Sequence, residues 1–522
     1  MISVKQRIKN ILKMVVGSLG VLRAAYIFFS LALQLLIFLG ATWLLDQNVV
    51  FFNGLCSVLG LVVSLRIVNA RSNPAYKIPW IILILFLPVF GLMIYLLLGN
   101  NYLTPHMRKE LKEAEDKVRK TLNADEFLTK KIKTTDPDLA TQMHYLRKTG
   151  GFPVYKGTVG VYLSPGEKKF EWMKAELRRA KYFIFLEYFI IAEGSMWDEV
   201  LEILLERASR GVEIRVMYDD FGSLLRLPSQ FGAKLDEYGI RYCAFGDMTP
   251  VLRSLMNHRD HRKILVIDGQ VGFTGGINIG DEYINKISRH GHWKDASIML
   301  KGEAVWSLTV FFLSIWDYVN GEDEDFLSYQ SREPNLPLIS DGYFQPYADS
   351  PLDQEQISEN VYLNMIGRAK HNLFIQTPYL VIDHEMMVAL CNAAKQGVDV
   401  RIVTPAVWDH WYVHAMTRSN YEQLTESGVR VYEYTPGFIH SKIFICDREM
   451  ATIGTPNVDY RSLYLHFECG TAIYLSSVIG MMEEDFMSTL DACHEYSYEE
   501  CRETPWHRKL GRGLLKVFAP LM

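Results

Sequence analysis

Residues 257–283 read NHRDHRKILVIDGQVGFTGGINIGDEY, and residues 437–462 read GFIHSKIFICDREMATIGTPNVDYRS. Each string carries H-x-K-x4-D followed by a glycine and an asparagine. The first holds His261, Lys263, Asp268, Gly275, Gly276 and Asn278; the second holds His440, Lys442, Asp447, Gly454 and Asn457. One bare match carries little weight, but two at equivalent places of an internal repeat carry much more. The repeat extends outward from both strings. AKYFIFLEYFI from Ala180, RGVEIRVMYDD from Arg210 and YGIRYCAF from Tyr238 recur, in the same order, as AKHNLFIQTPYLVI from Ala369, QGVDVRIVTP from Gln396 and SGVRVYEY from Ser427. Short apolar, β-branched runs alternate with helical stretches such as EVLEILLERA from Glu199, the pattern of an α/β unit. A repeat of this length is a duplicated domain. The expected fold is two similar α/β lobes, each with a mainly parallel mixed sheet flanked by helices, after N-terminal transmembrane helices.

The polar residues of the repeat have a chemical reading. ILVID and IFICD look like buried strands, and side chains two apart on a strand face the same way. His261 and Lys263 then share a side, as do His440 and Lys442. Two such copies packed face to face would surround one cavity with two imidazoles and two ammonium groups. That set suits a phosphodiester: lysines neutralise phosphate oxygens, one histidine attacks, and the other protonates the leaving oxygen. Asn278 and Asn457 are candidate phosphate-binding donors. Asp268 and Asp447 belong to the catalytic motif but lie an odd number of residues from their lysines, so they should point away as structural partners. HWKDASIML aligns with LHFECGTAIYL, pairing Asp295 with Glu468 as carboxylates to orient the histidines. No metal or other cofactor is implied, since no carboxylate or cysteine cluster completes a ligand set around His258 and His261. His258 is expected at the cavity mouth, and His290 and His292 in a solvated loop.

Composition narrows the partners. The chain has 522 residues, with 49% hydrophobic and 22% charged, and a formal net charge of -5. A nucleic-acid binder usually shows a basic surplus, which is missing here, so no nucleic-acid partner is expected. The seven cysteines show no metal spacing and read as reduced thiols, with Cys446 and Cys469 in the core. Three apolar stretches open the chain: Ala24 to Leu45, Val49 to Val68, and Pro79 to Leu98. The first and third are long enough to span a bilayer. The domain plan is a membrane anchor of two or three transmembrane helices over 1–100, a juxtamembrane helical linker over 101–145, lobes over 146–335 and 336–495, and an amphipathic tail over 496–522. Lys5, Arg7, Lys9 and Lys13 favour a cytoplasmic amino terminus, and Arg108, Lys109 and Lys112 a cytoplasmic catalytic part, which two spans satisfy and three do not.

The paired motifs resemble those of the phospholipase D superfamily, and more closely the bacterial cardiolipin synthases. The resemblance runs through PWIILILFLPVFGLMIYLLLG, LEYFII at Leu186, GVEIRVMYDDFGS at Gly211, DHWYVHAMTRSNYEQL at Asp409, YEYTPGFIHSK at Tyr432 and KVFAPLM at the end. It implies one active site between two lobes of a multi-pass cell-membrane enzyme. It also implies metal-free condensation of two phosphatidylglycerols to cardiolipin and glycerol through a phosphatidyl-histidine, with His261 as nucleophile and His440 as general acid. Two features depart from the pattern: the stretch near Ala24 is extra, and Thr455-Pro456 stands where a serine-containing turn is common. Rival readings are a phospholipase D hydrolase releasing phosphatidic acid, a membrane-bound nuclease, and a non-enzymatic scaffold. The motifs alone do not separate lipid from water as acceptor.

Overall fold

The computed structural model describes residues 50–70, 72–99, 105–123, 126–224, 226–227, 231–246, 258–332, 341–353 and 355–521, with a few single positions before residue 50. The apolar stretch 24–45 therefore lies almost wholly outside the described residues. Helix α1 (Val50–Asn69) packs along α2 (Pro74–Phe86) and α3 (Pro88–Ile94) as a hairpin. Asn73 caps α2 by accepting from Ala75 N at 2.9 Å. The span expected from Pro79 to Leu98 is instead broken at Leu87, because Pro88 offers no N–H and disfavours helical backbone before it. Among the described residues no helix is long and apolar enough to cross a membrane.

The hairpin is tied to the carboxyl-terminal half. Asn73 Nδ2 donates to Asp383 Oδ2 at 2.9 Å and to Tyr464 OH at 2.6 Å, and Tyr76 OH donates to Tyr460 O at 3.1 Å. A juxtamembrane helix would offer its lysines to lipid headgroups, and α4 (Pro105–Leu122) occupies the expected linker. Lys117 instead pairs with Asp317 at 2.8 Å and Asp323 at 2.7 Å, while Lys109 and Lys112 stay exposed.

The first sheet uses β1 (Thr158–Leu163), β2 (Phe183–Tyr188), β3 (Glu213–Asp219), β4 (Arg241–Phe245), β6 (Lys263–Ile267), β7 (Val271–Gly275) and β9 (Ser297–Gly302), in the order β1-β9-β7-β6-β2-β3-β4. The second uses β10 (Tyr343–Asp349), β11 (Asn372–Gln376), β13 (Asp399–Pro405), β14 (Arg430–Tyr434), β16 (Ile443–Cys446), β17 (Met450–Gly454) and β19 (His466–Tyr474), with β20 (Cys493–Tyr496) at its edge. Its order, β10-β19-β17-β16-β11-β13-β14, repeats the first strand for strand, and β20 extends it at the β14 edge. Helices α5 (Gly166–Leu177), α6 (Val305–Asn320) and α7 (Ile357–Arg368) pack on these sheets. The sheets are mixed, but only β2-β3-β4 and β11-β13-β14 are parallel, so the expected parallel majority is corrected. The motif strand turns straight back on itself, and a connection that short can only join antiparallel strands.

The motif aspartates make that turn. Asp268 and Gly269 have φ of 54° and 66°, and Asp447 and Arg448 have 53° and 57°, the left-handed pair that a tight hairpin requires. Each carboxylate also gathers the start of the neighbouring strand. Asp268 accepts from the backbone N–H groups of Lys181, Tyr182 and Phe183 at 2.7–2.9 Å. Asp447 accepts from those of Lys370, His371 and Asn372 at 2.8 Å.

Two short pairings cross between the lobes. β5 (Arg259–Asp260) runs parallel to the start of β19, and β15 (Gly437–Ile439) runs parallel to β8 (His292–Lys294). A further short pair, β12 (Leu380–Val381) with β18 (Val458–Asp459), stays within the second lobe. One apolar core is continuous across the lobes, joining Phe185, Ile264, Phe312 and Trp316 to Phe344, Phe444 and Ile473. All seven cysteines are free, with Cys446 and Cys469 fully buried.

Asp447→Ala should lower stability by about 2–4 kcal/mol, because three backbone donors lose a charged acceptor. Asp447→Asn, which keeps one acceptor oxygen, should lose less. Urea unfolding of the detergent-solubilised protein measures both, and an unchanged midpoint in the alanine variant would show that the carboxylate supports nothing.

Candidate active site

The crossing strands build the site. His261 follows β5, and its N–H donates to Phe467 O on β19 at 3.0 Å. Its ring then meets the next residue of that strand: Nδ1 lies 2.9 and 3.1 Å from the two carboxylate oxygens of Glu468. The other half does the same in reverse. His440 follows β15, its N–H donates to Lys294 O at 2.7 Å, and its Nδ1 lies 2.7 Å from Asp295 Oδ2. Each dyad therefore takes its histidine from one lobe and its carboxylate from the other.

Lys263 and Lys442 stand two residues beyond the histidines, and each Nζ donates to the carbonyl of its own histidine at 2.5 Å. Burial pushes Lys263 down to about 8 and Lys442 down to about 7. The four groups form one electrostatic cluster. Burial, then Lys263, Lys442 and His440, hold His261 well below the ordinary imidazole range. Burial and Lys442 bring His440 to about 4 against the pull of Asp295.

The two carboxylates differ. Burial raises Asp295, but His440, Lys442 and the Ala296 N–H at 2.7 Å outweigh it, and the group stays below the usual carboxylate range. Burial pushes Glu468 up to about 7, although Lys263 and the hydroxyl of Thr455, which donates to Oε2, work against it. One pair of equivalent positions explains part of the difference. A Cβ on Gly276 would lie 2.1 Å from Asp295 Oδ1, so that position must be glycine. Its counterpart is Thr455, whose hydroxyl fills the same space beside Glu468. The departure at Thr455 is thus a hydrogen-bond donor to a dyad.

The asparagines also part company. Asn278 spends its amide inside the fold, accepting from Ile190 N at 3.1 Å and donating to Tyr283 OH at 2.8 Å. Asn457 Oδ1 is buried with no partner among the described residues. Gly275 and Gly454 lie against β9 and β19 at distances a side chain would block.

Several neighbours were not singled out from the sequence. His466 lies two residues before Glu468 and Trp293 two before Asp295, so each shares a strand face with a dyad carboxylate. Their rings flank the imidazoles of the two dyads, with centroids 5.6 Å from His261 and 5.2 Å from His440. Phe189 meets His261 edge-on at 5.0 Å, and Tyr283 meets His440 at 5.7 Å. Arg461 Nε lies 3.4 Å from His466 Nε2. Lys169, on α5, is fully buried and donates to Tyr188 OH and Ile277 O, both at 3.2 Å. Burial brings it down to about 7. Nothing in the local sequence separates it from the other lysines of GEKKFEWMK. His258 is not at a cavity mouth: it is buried, with Nδ1 3.1 Å from Leu465 O. His292 is exposed, with Nδ1 2.9 Å from Tyr434 OH, and His290 Nδ1 lies 3.1 Å from Trp408 O.

His261, His466 and Glu468 bring one ligand atom each within 4.8 Å of one another, a spacing compact enough for a metal. Their surroundings do not suit one. Lys263 and Arg461 act on the same groups, so a divalent ion would be added to a cluster that already carries positive charge. The arrangement suits an anion instead.

Residues 173–289 and 362–490, which contain both motifs, match the family described as cardiolipin synthase, PLD-like domain. Residues 58–100, in the hairpin, match the one described as phospholipase D-nuclease N-terminal. An uncharacterised protein of Streptococcus mutans is 40% identical over 88% of this chain and 99% of its own length. A cardiolipin synthase of Halalkalibacterium halodurans is 33% identical over 90% of this chain and 94% of its own length. The crystal structure of phosphatidylserine synthase from Haemophilus influenzae, 14% identical, shares the fold with a TM-score of 0.53 over 71% of this chain and 94% of that one. The chain belongs to the cardiolipin synthase family of the phospholipase D superfamily, and is an enzyme of the phosphatidyltransferase class.

Proposed function

We propose that this enzyme makes cardiolipin by moving a phosphatidyl group from one phosphatidylglycerol to a hydroxyl of a second, releasing glycerol, through a phosphatidyl-histidine intermediate. The observation that carries this reading is the pair of crossed dyads, His261 with Glu468 and His440 with Asp295, beside two buried lysines. With Nδ1–H given to a carboxylate, Nε2 is the reacting atom of each ring. His261 Nε2 attacks the donor phosphorus. A P–N bond forms, the P–O bond to glycerol breaks, and His440 passes its proton to the departing oxygen. The hydroxyl of the second lipid then gives its proton to His440 as its oxygen attacks phosphorus, and the P–N bond breaks to restore neutral His261. Lys263 and Lys442 neutralise the non-bridging oxygens throughout, and no metal or other cofactor takes part.

The difference between the carboxylates supports this division of roles. Asp295, held ionised, favours an imidazolium at His440, whereas Glu468, raised to about 7, pulls less on His261 and leaves it a neutral nucleophile. A bound phosphodiester adds negative charge beside His440 and lifts it from about 4 toward the working range.

A lipid acceptor fits the hairpin. Val58, Leu61, Val62, Leu65, Leu85 and Phe86 are each more than half exposed, an apolar surface suited to a bilayer. We assign the hairpin to the membrane anchor of a multi-pass cell-membrane enzyme, with the lobes on the cytoplasmic side; the seven free thiols support that side.

Incubation of the purified protein with labelled phosphatidylglycerol should yield cardiolipin and glycerol at a rate that EDTA leaves unchanged. Phosphatidic acid as the main product would replace the transfer reading with hydrolysis, and EDTA loss restored by a divalent ion would overturn the metal-free one.

His261→Ala and His440→Ala should each cut turnover by about 10³-fold or more. Only His440→Ala should still form a covalent adduct with a phosphodiester whose leaving group departs unprotonated. Mass spectrometry locates the adduct, and phosphorus on His440 rather than His261 in the unaltered enzyme would reverse the assignment.

Asp295→Asn removes the negative charge that favours protonated His440, so His440 loses its proton at lower pH. The alkaline limb of the kcat profile, which reports the substrate complex, should move down by roughly one pH unit. A limb that stays in place would separate Asp295 from the acid.

A further inference from the structure

The last helix, α8 (Trp506–Phe518), reads WHRKLGRGLLKVF. Trp506, Leu510, Leu514 and Phe518 recur at every fourth position and so follow one face. A helix packed on a soluble domain turns such a face inward. Here all four are exposed, by 76%, 58%, 61% and 43%. The opposite face carries Arg508, Lys509, Arg512 and Lys516, and the helix contains no acidic residue. That basic side meets the protein: Lys509 pairs with Glu422 at 2.8 Å, and Lys516 Nζ donates to Asn420 Oδ1 at 2.9 Å. Leu515, from the same side, packs against the small cluster of Val381, Met416, Tyr460 and Ala519. The helix is therefore docked inside out, with its apolar stripe away from the lobe.

Leaving such a stripe in water is costly, since large apolar side chains are stabilised by leaving water. What covers it is indicated by its neighbours. α8 lies against α2 of the hairpin, where Ile78, Leu85 and Phe86 are also exposed. Arg508 and Arg512, on the basic side, have no ion-pair partner among the described residues and leave the helix with positive charge to offer an anionic surface. An apolar stripe with unpaired arginines beside a lipid-facing hairpin fits an interfacial helix on an anionic membrane.

We infer that α8 lies in the headgroup layer of an anionic phospholipid bilayer, with Trp506, Leu510, Leu514 and Phe518 among the acyl chains. The inference rests on the membrane placement of the hairpin, and the enzyme then grips the bilayer at both ends of its chain. Tyr460 links the two grips: it shares the small cluster against which Leu515 of α8 packs, and its ring meets Tyr76 of the hairpin.

The full chain carrying Leu514→Cys, labelled with an environment-sensitive fluorophore, is reconstituted in vesicles of phosphatidylcholine and phosphatidylglycerol. Flotation with the vesicles tests the hairpin, and quenching tests α8. The label should be quenched by spin-labelled lipid and protected from aqueous iodide several-fold relative to the same label at Lys395→Cys on the second lobe. Signal from the unaltered protein, treated identically, is subtracted. Leu510→Cys, one turn away, should behave alike and guards against a local folding defect. In protein that floats, iodide quenching at 510 and 514 equal to that at 395 overturns the inference. Cross-linking of the unlabelled Leu514→Cys protein between two copies through position 514, in place of lipid quenching, overturns it in favour of a second copy on the stripe.

Discussion

The structure depends on a reciprocal exchange of main-chain pairing between its halves. β5 of the first lobe borrows an edge from β19 of the second, and β15 of the second borrows one from β8 of the first. These pairings are only two and three residues long, yet each ends one residue before a motif histidine and one before the carboxylate of the other lobe. Glu468 and Asp295 are fully buried, and a buried carboxylate without a partner is strongly destabilising. Neither lobe contains a complete dyad, so the buried charge of each is compensated only when the two are joined. The same contacts that fix the interface therefore fix the tautomer of both imidazoles.

Duplication gave two similar half-sites, and the departures from symmetry fall where the chemistry needs them. Gly276 leaves room for a short carboxylate that takes a main-chain N–H, while Thr455 gives a longer one a hydroxyl. Trp293 covers His440, and the ionisable His466 stands in its place beside His261. Behind the motif strands, an ion pair of Glu187 with Arg262 occupies the positions that Gln376 and Ser441 fill with a neutral hydrogen bond of 2.5 Å. An identical pair of dyads would give neither ring a standing preference for the proton. Unequal ones allow one ring to stay neutral while the other carries a proton, the condition for separate nucleophile and acid.

Much of this was legible in the sequence because it rests on short, local rules. Alternation on a strand put His261 with Lys263 and His440 with Lys442, and odd spacing turned Asp268 and Asp447 away from them. Alignment of HWKDASIML with LHFECGTAIYL marked Asp295 and Glu468 as equivalent, but it could not show that each serves the histidine of the opposite copy, because that follows from packing between lobes. The same limit hid Lys169, which reaches the site from a helix far upstream of His261 in an unremarkable basic run. Asn278 looked like a phosphate donor because its type and place fit, whereas the fold uses its amide to bind Ile190 and Tyr283. The direction of the sheet was misjudged because the apolar runs of ILVID and VGFTG carry no sign of polarity. The Asp268-Gly269 turn between them did carry it.

The electrostatics of the site explain why so many cations are buried around one point. Lys169, Lys263 and Lys442 are each pulled down by burial, to about 7, 8 and 7. Lys263 lowers the other two further, while the neighbouring carboxylates pull all three the other way. Such a cluster is unfavourable on its own and is relieved by an anion. In the proposed mechanism a phosphodiester entering the site supplies the missing negative charge, favours protonated lysines and raises His440 at the same time. On that reading substrate binding and activation of the general acid are one event, because the charge that holds the phosphate is the charge whose neutralisation readies His440. Asp295 keeps that coupling directional. Its ionised carboxylate lies against the ring of His440, so the proton recruited by the phosphate is stabilised on the ring that must give it away.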